Sequence, residues 1–442
     1  MEYIPHTEDD LKRALAVVGV GSIEELFADL PEAIRNPNVD IGPGMHEYQL
    51  AEHLRALAAK NRPVNTKFLN GGTAQHFIPT VTNHLAFQSE FVTSYTPYQP
   101  EVAQGILQAT FEFQSIMTEL TGLDVSNASM YDGASAAAEA ALLAVRQTRR
   151  EKILVSQGVN PETREVIDTY VRPLGIVVET IQLADLRTPN FSVGSDVAGV
   201  VIEQPNWLGY LEDMETLADA THEARALFIS IVDPLSLALL KAPGEYNTDV
   251  AVGDGQPLGN AVNFGGPSFG FMTINERYIR QFPGRLVGET TDVDGKRAYV
   301  LTLQAREQHI RRSKAKSNIC SNHQLTAIQA AINVAALGPQ GLRQIATGSV
   351  VQAHALADQL AAAGFAPLTN QKFFNEFVLP VAVEPEVTRL ALTEHGYAAG
   401  VPVPAEYGLG NALLLSATEL ASDGDIAAFV QALTHVKNEG KA

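Results

Sequence analysis

The chain has 442 residues, 45% of them hydrophobic, and its 31 Lys+Arg against 50 Asp+Glu leave a formal net charge of −19. That length supports a large core and predicts two domains plus an extension. The acidic balance argues against nucleic acid as the main ligand, and the one cysteine, Cys320, excludes an internal disulfide or a Cys-based metal cluster.

The opening residues MEYIPHTEDDLKRAL carry no apolar signal core. The longest apolar run, Ala226–Leu240, is split by Asp233–Pro234 and is too short to span a bilayer. A cytoplasmic protein with no membrane role is the expectation. Thr7–Arg13 opens a helix, with Thr7 as cap and acids in the first turn. A second short helix is predicted over Ser22–Leu30, a linker over Asn36–Gly44, and a third helix over His46–Ala59. Together they predict a helical arm over residues 1–66.

A large domain is expected over 67–320. Its first landmark is Thr93–Gly105, TSYTPYQPEVAQG. Prolines at 97 and 100 fix a loop, and Tyr95 and Tyr98 offer rigid faces with hydroxyl donors. Gln108–Thr121 reads as a helix. The stretch Asn127–Val145, NASMYDGASAAAEAALLAV, reads as a loop opening onto an alanine-rich helix. Asp132 or Gly133 caps that helix and Ser135 falls in its first turn. Such a helix start offers unpaired N–H groups to a phosphate, although an ordinary capped helix on a sheet is the commoner outcome.

Beyond it, strands Lys152–Ser156, Gly175–Leu183, Val197–Glu203 and Ala226–Val232 alternate with helices Pro161–Val171 and Asp213–Ala224. This alternation predicts a mainly parallel sheet with ligands at its carboxyl ends. Asp249–Val252 reads as a further strand that runs into a glycine-rich loop, Gly253–Gly270. In Leu301–Lys316, five basic residues (Arg306, Arg311, Arg312, Lys314 and Lys316) surround His309. In so acidic a chain they mark either a solvated helix face or a docking surface for an acidic partner. A small α+β domain is expected over 321–442: helices Ser321–Leu337 and Gly348–Ala363, strand Phe374–Val383, helix Glu386–Glu394, strand Asn411–Ala417 and a final helix Ile426–Lys437.

A strand-end Asp233, a glycine loop and a small C-terminal domain together resemble the aspartate-aminotransferase-like (fold type I) architecture of pyridoxal phosphate enzymes. The motifs TSYTPYQPEVAQG, NASMYDGASAAAEA, DPLSLALLKAPG, VGDGQPLG and LTLQAREQHIRRSKAKSNIC closely resemble the P-protein of the glycine cleavage system. They are closest to subunit 1 (alpha), found where that glycine dehydrogenase (decarboxylating) is split into two chains. The resemblance implies glycine + lipoyl H-protein → aminomethyl-lipoyl H-protein + CO₂. It further implies a homologous beta chain, an alpha2beta2 heterotetramer and an acidic H-protein.

One departure is decisive for the roles carried over. The cofactor-bearing chain of the family has a His–Lys pair where this sequence has Gln256 and Pro257. Proline has no amine, so no Schiff base forms there and this chain has no covalent catalytic residue. The implication is that pyridoxal 5'-phosphate is bound by the partner beta subunit. Gly133, Ser135, Asp233 and Gln256 would then be a vestigial cofactor pocket, with Asp233 at the position that pairs with the pyridine nitrogen. Tyr95, Thr96, Tyr98 and Gln99 would complete the partner's active site. Arg306, His309, Arg311, Arg312 and Lys314 would dock H-protein, and no metal is expected. Two other readings are a self-contained transaminase or decarboxylase using Lys241, and a purely structural or regulatory subunit.

Overall fold

Alternating apolar runs and amphipathic segments give the architecture in the computed structural model, which describes residues 6–35, 37–320 and 322–442. Two units separate between Pro63 and Val64. The first holds helices α1 (Glu8–Val18), α2 (Glu32–Arg35) and α3 (Glu47–Ala58). Thr7 caps α1 reciprocally: Asp10 N donates to its hydroxyl and Thr7 N donates to the Asp10 carboxylate. The helix expected over Ser22–Leu30 is only a 3₁₀ turn, Glu24–Phe27. So short a segment has few i−4 bonds with which to hold an α-helix before Pro31. The expected linker is irregular from residue 37 onward. Asn36 and Ser321, the first residues of two expected segments, and residues 1–5 lie outside the described residues.

The second unit begins with α4 (Thr80–Ala86), α5 (Ser89–Val92), α6 (Gln104–Thr121), β1 (Val125–Ser126), α7 (Gly133–Thr148) and β2 (Lys152–Ser156). It continues with α8 (Pro161–Val171), β3 (Val177–Ile181), β4 (Val197–Gln204), α9 (Met214–Glu223), β5 (Leu227–Val232), β6 (Val250–Asp254) and β7 (Gly270–Ile274). Seven strands form one sheet in the order β1-β7-β6-β5-β4-β2-β3. Strands β3, β2, β4, β5 and β6 pair in parallel, as the alternation predicts, while β7 runs antiparallel to β6 and to β1.

Helix α7 lies against this sheet with Ala136, Ala137, Ala138, Ala140, Ala141 and Ala144 fully buried. The alanines set distance as well as propensity. A Cβ at Gly199 of β4 would come within 2.9 Å of the Ala144 methyl, so the helix packs its methyl onto bare strand backbone there.

A hairpin follows, β8 (Leu286–Thr291) and β9 (Arg297–Thr302). The basic stretch that follows it is not one helix. It is a 3₁₀ turn over Gln304–Arg306, the four-residue α10 (Gln308–Arg311) and another 3₁₀ turn over Arg312–Lys314. Positive φ at Leu303 (52°) and Arg312 (52°) breaks the helical path at both points.

Then comes α11 (Gln324–Ala362), in which the two expected helices are continuous apart from a break at Gly338 (φ 63°, ψ −179°) before Pro339. The C-terminal part holds β10 (Glu376–Pro380), α12 (Pro385–Glu394), β11 (Val401–Pro402), β12 (Ala412–Ser416) and α13 (Asp423–Asn438). Its antiparallel sheet has the order β10-β12-β11. Ser422 caps α13, its hydroxyl accepting from Asp425 N at 3.2 Å.

Candidate functional site

A cavity of about 530 Å³ lies at the carboxyl ends of β4, β5 and β6, beside the start of α7. This is where a parallel sheet places its ligands. Glu203, Asp233 and Asp254 reach it from the three strand ends, Gly133 from the helix and Glu376 from β10.

The helix start is already satisfied from within the protein. Asp132 is the N-cap and takes a hydrogen bond from Ser135 N at 2.7 Å. The Ser135 hydroxyl closes the same box, accepting from Asp132 N at 3.3 Å. Gly133 N donates to the Asp254 carboxylate at 3.3 Å. Asp254 also accepts from Gln256 N at 2.9 Å and from the Ser268 hydroxyl at 2.5 Å. Asp254 therefore stands where a phosphate would sit on the dipole. Gly133 is needed for that approach, because a Cβ there would lie 2.7 Å from Asp254 N.

The cavity walls are acidic. Glu203 accepts from Asn160 N at 2.6 Å, Glu376 from Gly71 N at 3.0 Å and Asp233 from Leu235 N at 2.9 Å. All three are partly buried in the cavity wall. Desolvation pushes Glu203 and Glu376 up to about 8, and each is raised further by Asp233. Desolvation raises Asp233 too, against the opposing charge of His76. Asp254 is likewise raised by burial and by the Asp132 charge beside it. The residues lining the cavity include no lysine, arginine or histidine.

Gln256 does not point into this space. It is 3% exposed, and its amide donates to the Ala74 and Asn260 carbonyls at 2.9 and 2.7 Å while its oxygen accepts from Ala74 N at 3.1 Å. Pro257 does line the cavity, and Ser135 does not. Lys241 is exposed, is ion-paired with Glu215 and is absent from the cavity wall. A dianionic phosphate and a lysine-linked aldehyde do not fit this constellation.

The tyrosine loop lies apart from that cavity, whose walls include none of Tyr95, Thr96, Tyr98 and Gln99. The loop is irregular up to Pro100, and its Tyr98 N donates back to Thr96 O at 2.9 Å. This tight turn folds the chain back on itself at Pro97. Tyr95 is 76% exposed and Tyr98 is 46% exposed.

The structure joins this loop to the basic segment through a residue that composition does not single out. Arg285, 3% exposed, donates from Nη2 to the Tyr98 hydroxyl oxygen at 3.1 Å, with its guanidinium carbon 5.3 Å from the ring centroid. The His309 ring meets the Tyr98 ring edge-on at 5.6 Å. The basic residues themselves divide. Arg306 is turned inward, donating to the carbonyls of Phe282 and Gly284, and burial lowers its pKa. His309, Arg311, Arg312 and Lys314 stay exposed.

Residues 1–433 match the family model described as the glycine cleavage system P-protein. The chain belongs to the P-protein family of the glycine cleavage system. A "probable glycine dehydrogenase (decarboxylating) subunit 1" of Moorella thermoacetica is 50% identical over 440 residues, 98% of this chain and 99% of the relative. A crystal structure of glycine decarboxylase (P-protein) of the glycine cleavage system, in inhibitor-bound form, superposes with a TM-score of 0.89 at 51% identity, covering 99% of this chain and 100% of that one. An aspartate aminotransferase from Thermus thermophilus shares the fold at a TM-score of 0.57 and 14% identity, covering 82% of this chain and 97% of that one. The aminotransferase-like, fold type I architecture of the P-protein family is thus the architecture of this chain. Among its described residues, no helix is long and apolar enough to cross a membrane.

Proposed function

We propose that this chain is the alpha half of a two-chain glycine decarboxylase. It acts in glycine + lipoyl H-protein → aminomethyl-lipoyl H-protein + CO₂, and the homologous beta subunit carries pyridoxal 5'-phosphate. The name of the Moorella relative, a subunit 1, supports a subunit 2 partner. The observation that carries the division of labour is the strand-end cavity. It has a proline where the family's lysine would stand, a carboxylate at the helix start, and no lysine, arginine or histidine among its lining residues to hold a phosphate. An alpha2beta2 assembly in the cytoplasm completes the reading.

In this reading the alpha chain supplies surfaces. Prolines at 97 and 100 pre-order the tyrosine loop, so that Tyr95, Thr96, Tyr98 and Gln99 can reach the partner's active site with little ordering cost. The exposed His309, Arg311, Arg312 and Lys314 attract the acidic H-protein, while Arg306 holds the segment in place.

The test is reconstitution. Alpha alone and beta alone should lack glycine-dependent CO₂ exchange and the mixture should have it. Borohydride reduction of the active mixture should yield a phosphopyridoxyl-lysine peptide from beta only. Recovery of such a peptide from Lys241, or from any other lysine of this chain, would overturn the division of labour.

A further inference from the structure

We propose that Arg285 is the positioning residue of the tyrosine loop, with Glu307 as its counter-charge. Together they tie the loop to the docking segment, so that contact on one is felt at the other. This rests on the reading above, in which Tyr98 serves the partner's active site.

A buried arginine stays charged, so it needs an acceptor and a compensating carboxylate. Arg285 finds its acceptor in the Tyr98 hydroxyl, 3.1 Å from Nη2. Its carboxylate is Glu307, whose Oε2 lies 3.9 Å from Nε, with the two side chains 4% and 7% exposed. Glu307 sits at the head of the basic segment and faces His309 Nδ1 at 3.7 Å. His309 in turn packs on the Tyr98 ring. The result is a closed ring of four side chains: Tyr98, Arg285, Glu307 and His309.

Arginine has no acceptor, so the phenol oxygen receives this bond and the phenolic proton is left to point elsewhere. Arg285 thus fixes the ring, by bond and by cation–π contact, and leaves its O–H available as a donor. The backbone before Arg285 is held just as closely, because Arg306 donates to the carbonyls of Phe282 and Gly284. The pair also has slack. At 3.9 Å, Arg285 Nε and Glu307 are not hydrogen-bonded, and both Nε and Glu307 Oε1 are buried without a hydrogen-bond partner. A force on the His309–Lys314 side can tighten or loosen it without breaking another bond.

The experiment is a double-mutant cycle in the alpha–beta complex. Tyr98→Phe removes the hydroxyl; Arg285→Lys keeps the charge and removes the fork. Each single variant should lower kcat/KM for glycine by about tenfold, and the double variant should be no worse than Tyr98→Phe alone. Additive losses, or an Arg285→Lys enzyme at the parental rate beside an impaired Tyr98→Phe, would overturn the positioning role. A Tyr98→Phe enzyme at the parental rate overturns instead the reading on which it rests. Should Arg285→Lys fail to assemble, Glu307→Gln replaces it in the cycle under the same criteria. Hydrogen exchange over residues 93–103 of the assembled complex gives a second readout. It should quicken in Arg285→Lys and Glu307→Gln and slow when lipoyl H-protein binds the parental complex. Unchanged exchange on H-protein binding would remove the coupling.

Discussion

Glu203 and Glu376 set the pH behaviour of the strand-end cavity. Each stays protonated in the fold up to about 8, whereas an ordinary glutamate releases its proton near 4.5. The folded state therefore holds protons that the unfolded chain has already lost. The contribution to stability is fully present below about 4.5 and is lost as pH rises toward 8. Glu203→Gln mimics the neutral acid and still accepts from Asn160 N. It should flatten that decline and stabilise the chain by about 2 kcal/mol near pH 9. Urea unfolding at acid and alkaline pH checks this; parallel pH slopes for variant and parent would mean that the carboxyl is ionised in the fold. Tyr95 and Tyr98 make the second residue-level case. Replacing each by phenylalanine keeps the ring and removes the donor, so at least one should cost about tenfold in kcat or kcat/KM for glycine while assembly is retained. If both variants assemble and turn over like the parent, the tyrosines are interface packing.

Among the elements, α7 was the most legible and the basic segment the least. Alanine propensity, a cap at Asp132 or Gly133 and Ser135 in the first turn were readable, because each is local; the structure selects Asp132 and closes a box with Ser135. Asp254 at the helix start was not, since it arrives from β6, more than a hundred residues away in sequence. Gly133→Ala tests that contact. The added methyl meets Asp254 N at 2.7 Å and the Gly253 carbonyl carbon at 3.0 Å. It should destabilise the chain by about 1–3 kcal/mol in chemical denaturation, despite alanine's better helix propensity. A neutral or stabilising result would show that the helix can shift away from β6. The Asp-Val-Asp-Gly turn at 292–295 was a hairpin signal that marked β8 and β9. Recognising that hairpin would have drawn attention to Arg285 at its entrance.

For the whole molecule, the proposed meeting with H-protein rests on charge. Against a net charge of −19, the exposed Arg311, Arg312 and Lys314 form a local exception. An acidic protein is repelled by most of the surface and drawn to that edge. Reversing all three to glutamate should raise the KM for H-protein severalfold at low salt and flatten its salt dependence, with little change in Tm. Unaltered H-protein kinetics at low salt would return these residues to the solvated surface.

The sequence by itself determined the fold class, the family motifs and the presence of proline at 257. All three depend on local pattern: strand–helix alternation, motif order, and a proline at one position. Tertiary structure decided what the motifs do to one another. It turned Gln256 away from the cavity into a bracket for Ala74, set Asp254 on the helix start and turned Arg306 inward. It also linked Tyr98 to Glu307 through Arg285. Those outcomes depend on contacts between segments up to about two hundred residues apart. Side-chain direction at such contacts follows from packing between distant segments, which no local window of the sequence contains.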